Sequence, residues 1–518
     1  MIWTIARKQL LINVMTQKFV IGFVLCQLLF LLSAVILTRD YEERRASYSA
    51  AASQHARQLR QIKVYSQLTI TVDRPPAQLS PLCEGFDKRL ASEATLSYTR
   101  IPEISMGQGE KNPLMVVLKS FDLVAIVQIV LSLLALFFAY DVVSGEREQG
   151  TLALTLSHAL PRHKMLMGQY LGGMMTLLPM VLVGMILALF VMISSSSIAF
   201  SSQDWMRIGL IVAISLIYLS TFHLLAILVS TIVKRSATSL TVLLFCWIVL
   251  VVLFPHASAY LAHHIRPVEA KAMVDARARN LRSEMWQRLW SYAKKHPPPP
   301  HRWEFIKGRS VYTGDIPYPI MIYYAPREIM LWELEGLKYC LRLDMEYAER
   351  IHDLYRSYER TLLRQADLAK MVARLSPAWV YTQAASILAG TDADHYLRFL
   401  ERARRYRHVV IDYVESKDGL FSLAYFTRRN MNELLTTAEL EALRKSRGRR
   451  AIDDLIGRGW DEVPPLDLRD MPTFDPVSET IDAQIKRALP ELGILIFLNL
   501  VLFLLSHVAF LRADVRAD

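Results

Sequence analysis

Six apolar runs, each about as long as a bilayer is thick, decide most of what this chain can become. They lie at 19–38, 119–140, 165–193, 205–233, 237–255 and 488–511. A helix needs about 20 apolar residues to cross the hydrocarbon core, and there every backbone donor and acceptor must be paired within its own segment. The expected fold class is an all-α polytopic membrane protein with six transmembrane helices. Two long polar stretches, 39–118 and 256–487, separate the runs, and a short tail, 512–518, follows the last.

The short loops set the orientation. Lys and Arg precede the first run (Arg7, Lys8, Lys18), lie between the second and third, recur at Lys234–Arg235, and follow the last at Arg512 and Arg516. The 194–204 loop has none. The positive-inside bias then places both termini and loop 141–164 in the cytoplasm, and 39–118 and 256–487 outside. Residues 1–18 read as a basic amphipathic helix in the cytoplasmic interface. The net charge of +11 is scattered over span ends and polar regions. Anionic lipid headgroups account for it, and no nucleic-acid partner is expected.

Within the third run, Gly168 and Gly172 form a small-xxx-small pair that permits close helix approach. Pro179 is expected to kink the same helix. The loop before this run is the most informative stretch, SGEREQGTLALTLSHALPRHK from Ser144 to Lys164. Ser144 or Asp141 is placed to cap one helical turn through Glu146–Gln149. Gly150 breaks that turn and Thr151 starts a second, with Leu152, Leu156, Ala159 and Leu160 on one face. Pro161 ends it. The loop begins acidic (Glu146, Glu148) and ends basic (Arg162, Lys164).

Span, then this loop, then span resembles the permease subunits of type-2 ABC transporters (ABC-2). Their first cytoplasmic loop carries a G-E-x-x-x-G-T-L element followed by a Pro/Arg/Lys step. Here Gly145, Glu146, Gly150, Thr151, Leu152, Pro161 and Arg162 match it, with Pro161 where the family often has Ser. The resemblance implies that the loop holds a coupling helix, to which Glu148 and Leu156 also belong, docking on a separate ATPase. It further implies two ATPase subunits, a second permease (identical or homologous), export, and a bacterial cytoplasmic (inner) membrane.

The second polar stretch is mostly helical in pattern: 268–295, then a stiff Pro297–Pro300 connector, then a long helix from Arg327 to Leu375. Leu341, Ala348, Tyr355, Leu362 and Ala369 repeat every seven residues. That pattern fits an antiparallel coiled-coil-like stalk or a plain amphipathic bundle helix equally well. Between them, Trp303, Tyr312, Tyr318 and Tyr323 stand in an aromatic loop with room for a strand, a candidate contact for an extracytoplasmic partner or cargo. Ser376 with Pro377 starts another helix and Gly390 ends it. Its Leu-Ser-Pro-Ala, Leu-Ala-Gly-Thr-Asp and Leu-Arg-Phe-Leu elements resemble a permease branch with a large helical insertion before the last span, similar to those of gliding-motility and nitrous-oxide-reductase-maturation operons.

No GxxxxGK[ST] is present, so ATP and Mg are expected on the partner ATPase, with no cofactor, metal or catalytic residue on this chain. His256, His263 and His264, with His296 and His301 further on, read as interfacial histidines, with a metal site or proton relay as the alternative. Gln27, Gln128, His223, Asn499 and His507 lie within spans, as helix glue or pathway residues. Cys83 and Cys340 face an oxidising compartment and form a candidate disulfide. Two functions fit: a permease coupling ATP hydrolysis elsewhere to translocation, or a mechanotransmitter in which the same engine moves an outer partner without transport.

Overall fold

The computed structural model describes residues 1–88, 92–96, 103–105, 121–152, 161–310, 319–456, 463–475 and 479–512. Leu156, Ala159, Leu160, Tyr312 and Tyr318 lie outside the described residues.

The chain starts with α1 (Ile2–Val14) and α2 (Gln17–Arg60). Three short strands follow, β1 (Ile70–Asp73), β2 (Glu93–Leu96) and β3 (Glu103–Ser105), in an antiparallel meander. The next helices are α3 (Leu123–Phe137), α4 (Ser144–Glu148), α5 (Arg162–Ile193), α6 (Ser202–Ile232) and α7 (Ser236–Ile265). The second polar stretch comprises α8 (Lys271–Lys295), the hairpin β4 (Lys307–Ser310) and β5 (Pro319–Tyr324), α9 (Arg327–Ala373), α10 (Pro377–Ala389), α11 (Ala393–Ser416) and α12 (Thr437–Ile456). The last helix is α13 (Ile481–Arg512).

The fold is all-α apart from these strands. Helices α2, α5, α6, α7 and α13 are long and apolar enough to span a membrane; α3 is apolar but shorter. Asp122 caps α3, its carboxylate accepting the Ala125 N–H at 2.7 Å. A wide π turn at Ile126–Leu131 follows at once. A second π turn at Ile248–Leu253 lies within α7. Helix α5 runs on through Pro179, since flanking turns of a membrane helix can carry the missing hydrogen bond.

The membrane-type helices share one core, and α10 belongs to it. Tyr381 stacks on Tyr218 of α6 at 4.5 Å between ring centres, and its hydroxyl lies 2.9 Å from that of Ser215. Ser376, the N-cap of α10, donates to the Leu250 carbonyl of α7. Ten of its thirteen residues are buried, which the Ala-rich sequence allows because small side chains let backbones approach. Leu79, Leu82 and Cys83 join the same core from the first polar stretch. The Phe86 N–H donates to the Thr391 carbonyl at 2.8 Å. Gly85 makes that approach feasible: its φ is +52°, and a Cβ there would meet the Thr391 oxygen at 2.7 Å.

A second core unites the two polar stretches. Ile62, Tyr65, Ile70, Val72 and Leu96 pack with Ile322 and Tyr324 of β5, Met330 and Leu337 of α9, and Phe399 and Val414 of α11. The first stretch is too small for a core of its own, and it obtains one from the second.

Helices α8 and α9 pair antiparallel. Trp332 meets His296, Tyr339 stacks on Tyr292 at 4.0 Å, Tyr347 donates to Glu284, Tyr355 donates to Asp275, and Gln365 donates to Arg266. Along the heptad series Leu341 and Ala348 are buried, whereas Leu362 is exposed. The stripe is therefore buried over the first part of α9 and reaches solvent at Leu362.

Candidate functional site

The described residues of the loop from Asp141 to Lys164 are held to five neighbouring helices by specific bonds, among them Asp141 to Lys18 of α2 at 3.9 Å. Its helix α4 is one turn and a half, and Ser144 does not cap it: the N-cap is Val143, without a side-chain bond. The Ser144 hydroxyl is instead buried, 3.1 Å from that of Ser230 on α6. Ser230 Oγ also accepts the Val143 and Ser144 N–H groups, each at 3.1 Å. Gly150 ends the turn as expected, at φ +69°, where a left-handed residue closes a helix and Gly pays no Cβ penalty.

Adjacent residues of α4 then cap two spans. Arg147 is buried, and its guanidinium donates to the carbonyls of Thr231 (3.1 Å) and Val233 (3.4 Å) at the end of α6. Glu148 is exposed, and its carboxylate accepts the Ser236 N–H (3.1 Å) and hydroxyl (2.6 Å) at the start of α7. A cation at a helix C-terminus and an anion at an N-terminus both complement the macrodipole. The Ser236 hydrogen bonds hold the Glu148 carboxyl below the usual carboxylate range.

Glu146 faces the other way, 3.9 Å from Lys8 of α1. Burial pushes its carboxyl up, with Lys8 opposing. One of its oxygens is buried without a hydrogen-bond partner among the described residues. Thr151 donates to the Glu146 carbonyl at 3.1 Å, and Leu152 is buried in the membrane core. At the far end, Pro161 is the N-cap of α5. Arg162 donates to the carbonyls of Phe510 (2.6 Å) and Leu511 (2.8 Å), capping α13.

Gly168 and Gly172 do receive a close helix, and it is α1. A Cβ on Gly168 would fall 2.7 Å from Ile5 Cβ, and one on Gly172 2.7 Å from the Ala6 carbonyl oxygen. Asn13 reinforces the contact, donating to Thr176 Oγ1 at 3.2 Å. Within the spans, Asn499 of α13 bonds Ser220, Thr221 and the Ile217 carbonyl of α6, and Gln27 donates to the Met180 carbonyl. Both act as helix glue. His256, His263 and His264 are exposed.

The aromatic candidates divide. Trp303 is exposed, but Tyr323 is buried and its hydroxyl accepts from Arg429 at 2.8 Å. Tyr323 sits in the core shared with the first polar stretch, which makes it a packing residue. The Cys83–Cys340 disulfide is not formed. Cys83 lies in the membrane core, and Cys340 packs with Leu289, Leu343 and Tyr347 in the α8–α9 hairpin. Burial pushes the Cys340 thiol up to about 12.

Lys8, Arg147, Ser230 and Ser236 are site residues that sequence reasoning passed over. Arg147 lies within the motif, but its acceptors are more than eighty residues away, and no local spacing signals them.

Among the described residues, five helices long and apolar enough to cross a membrane, a sixth shorter apolar helix, and a loop bonded to the span ends define an all-α polytopic membrane protein. The chain belongs to the ABC-2 transporter family: the family model described as ABC-2 family transporter protein matches residues 3–515. No curated protein matches it. Membership makes it the permease subunit of an ABC transporter, a multi-pass membrane protein whose partner is an ABC ATPase.

Proposed function

We propose that this chain converts ATP hydrolysis by two separate ATPase subunits into export across a bacterial cytoplasmic membrane, with loop 141–164 as the receiving surface. ATP and Mg stay on the ATPases. A second permease, identical or homologous, completes the pathway, and both termini are cytoplasmic. One observation carries the reading: α4 bonds the ends of both α6 and α7 through consecutive residues, Arg147 and Glu148. A push on the exposed end of α4, at Gln149 and Gly150, moves two spans together, and Arg162 extends the linkage to α13.

The test uses Arg147→Ala and Glu148→Ala in proteoliposomes with the ATPase bound. The ATPase co-purifies with both variants, while transport-coupled ATP turnover falls by about tenfold or more for Arg147→Ala, as loss of charge-assisted bonds implies. Full coupling in both variants defeats the proposal.

A second reading keeps the engine and changes the output. Helix α2 is one uninterrupted 44-residue rod, about 66 Å long, from the first span into the outer core. Such a rod suits a mechanotransmitter acting on an extracytoplasmic partner. ATP turnover that depends on an outer partner, without solute movement, distinguishes it.

A further inference from the structure

We infer that the outer part carries a divalent-cation site formed by His55, Asp73 and Glu93, of the kind that takes a zinc-class ion. His55 lies near the outer end of α2, Asp73 ends β1 and Glu93 opens β2. Asp73 and Glu93 are register partners across the β1–β2 ladder, so their side chains stand on the same face, about 5 Å apart at Cβ. Like charges directly opposite destabilise a strand pair. Here both carboxylates converge with one imidazole. His55 Nδ1 is 2.9 Å from Asp73 Oδ2, and one ligand atom from each residue lies within 4.8 Å of the other two. Among the described residues this is the one His/Cys/Asp/Glu group so arranged. The neighbouring Arg74 turns to Asp87 at 2.6 Å, as the strand's alternation directs.

The donor set chooses the ion. One imidazole nitrogen with two carboxylate oxygens suits zinc and similar first-row cations; oxygen-only cages suit magnesium and calcium, and thiolate sites suit copper(I). Zinc sits about 2.0–2.2 Å from such ligands, and three protein ligands leave a position for water. The three residues are half-buried, which partly shields the ion yet leaves a route to it. The sequence alone points to no metal here, because the ligands come from a helix and two strands with no motif spacing between them. The ion would tie the rod that begins as the first span to the sheet of the outer core. It binds the assembled site only, so it stabilises the folded chain by mass action.

The experiment uses the full chain, purified without a polyhistidine tag, reconstituted in lipid nanodiscs and stripped with chelator. Zinc is titrated by calorimetry, cobalt(II) by its visible d–d bands, and thermal unfolding is followed with and without zinc. One ion per chain binds, the cobalt bands appear, and zinc raises the unfolding midpoint. His55→Ala and Asp73→Asn each weaken binding by more than about tenfold, whereas His263→Ala with His264→Ala leaves it unchanged. Stoichiometric binding that survives His55→Ala overturns the site. So does the absence of zinc binding to chains that still unfold cooperatively, or calcium or magnesium binding in preference to zinc.

Discussion

Glu333 shows how much one side chain can impose. It is fully buried in α9, and among the described residues neither carboxylate oxygen has a hydrogen-bond partner. Burial pushes its carboxyl up to about 8, so the group is mostly protonated at neutral pH. A carboxyl whose folded pKa is raised stabilises the fold fully below its unfolded pKa, near 4.5, and loses that contribution as pH rises through about 8. Glu333→Gln is expected to be about as stable as the native chain at pH 4 and more stable at pH 8. Every tenfold by which burial weakens the ionisation corresponds to about 1.4 kcal/mol. Unfolding of the reconstituted chain across this range checks the sign; parallel curves for the two proteins contradict it. Cys340 is the companion case. Its buried thiol is expected to resist alkylation until the α8–α9 hairpin opens, which mass spectrometry after timed labelling reads directly.

Helices were legible to the extent that their own residues define them. The apolar runs, Gly150 as a stop, Ser376 with Pro377 as a start and Gly390 (φ +70°) as an end all act within a turn or two. What was not legible is where a helix docks. A thirteen-residue helix is too short to read as a span, so nothing local in α10 announces that it packs among the spans. Ser144 reads as an N-cap, but a buried hydroxyl on α6 claims it instead. Gly168 and Gly172 read as a close-approach surface, and the helix against them is α1 and not another span. Gly172→Leu is therefore expected to lift α1 off α5. Overpacking of this kind costs about 1–3 kcal/mol, and a lower unfolding midpoint in detergent with unaltered insertion checks it. An unchanged midpoint would mean that α1 is only loosely attached.

At the scale of the whole molecule, two cores and their linkage matter most. The second core draws on both polar stretches, and the membrane core draws in α10 and the Leu79–Cys83 segment. Replacing 268–485 by a flexible linker therefore removes α10 from the bundle along with the second core. Loss of ATPase binding in such a deletion would report bundle damage as well as domain loss. Sidedness is a cleaner probe, because Trp303 and Gln149 are both exposed. A membrane-impermeant maleimide added outside is expected to modify Trp303→Cys and spare Gln149→Cys; the reverse pattern inverts the topology. The central claim, that α4 receives the ATPase, is tested most directly by a photo-crosslinking residue at Gln149 in native membranes. Illumination is expected to join this chain to its ATPase from Gln149, and not from the same residue at Trp303. An ATPase captured only from Trp303, or from neither position in membranes where the complex is intact, would contradict it.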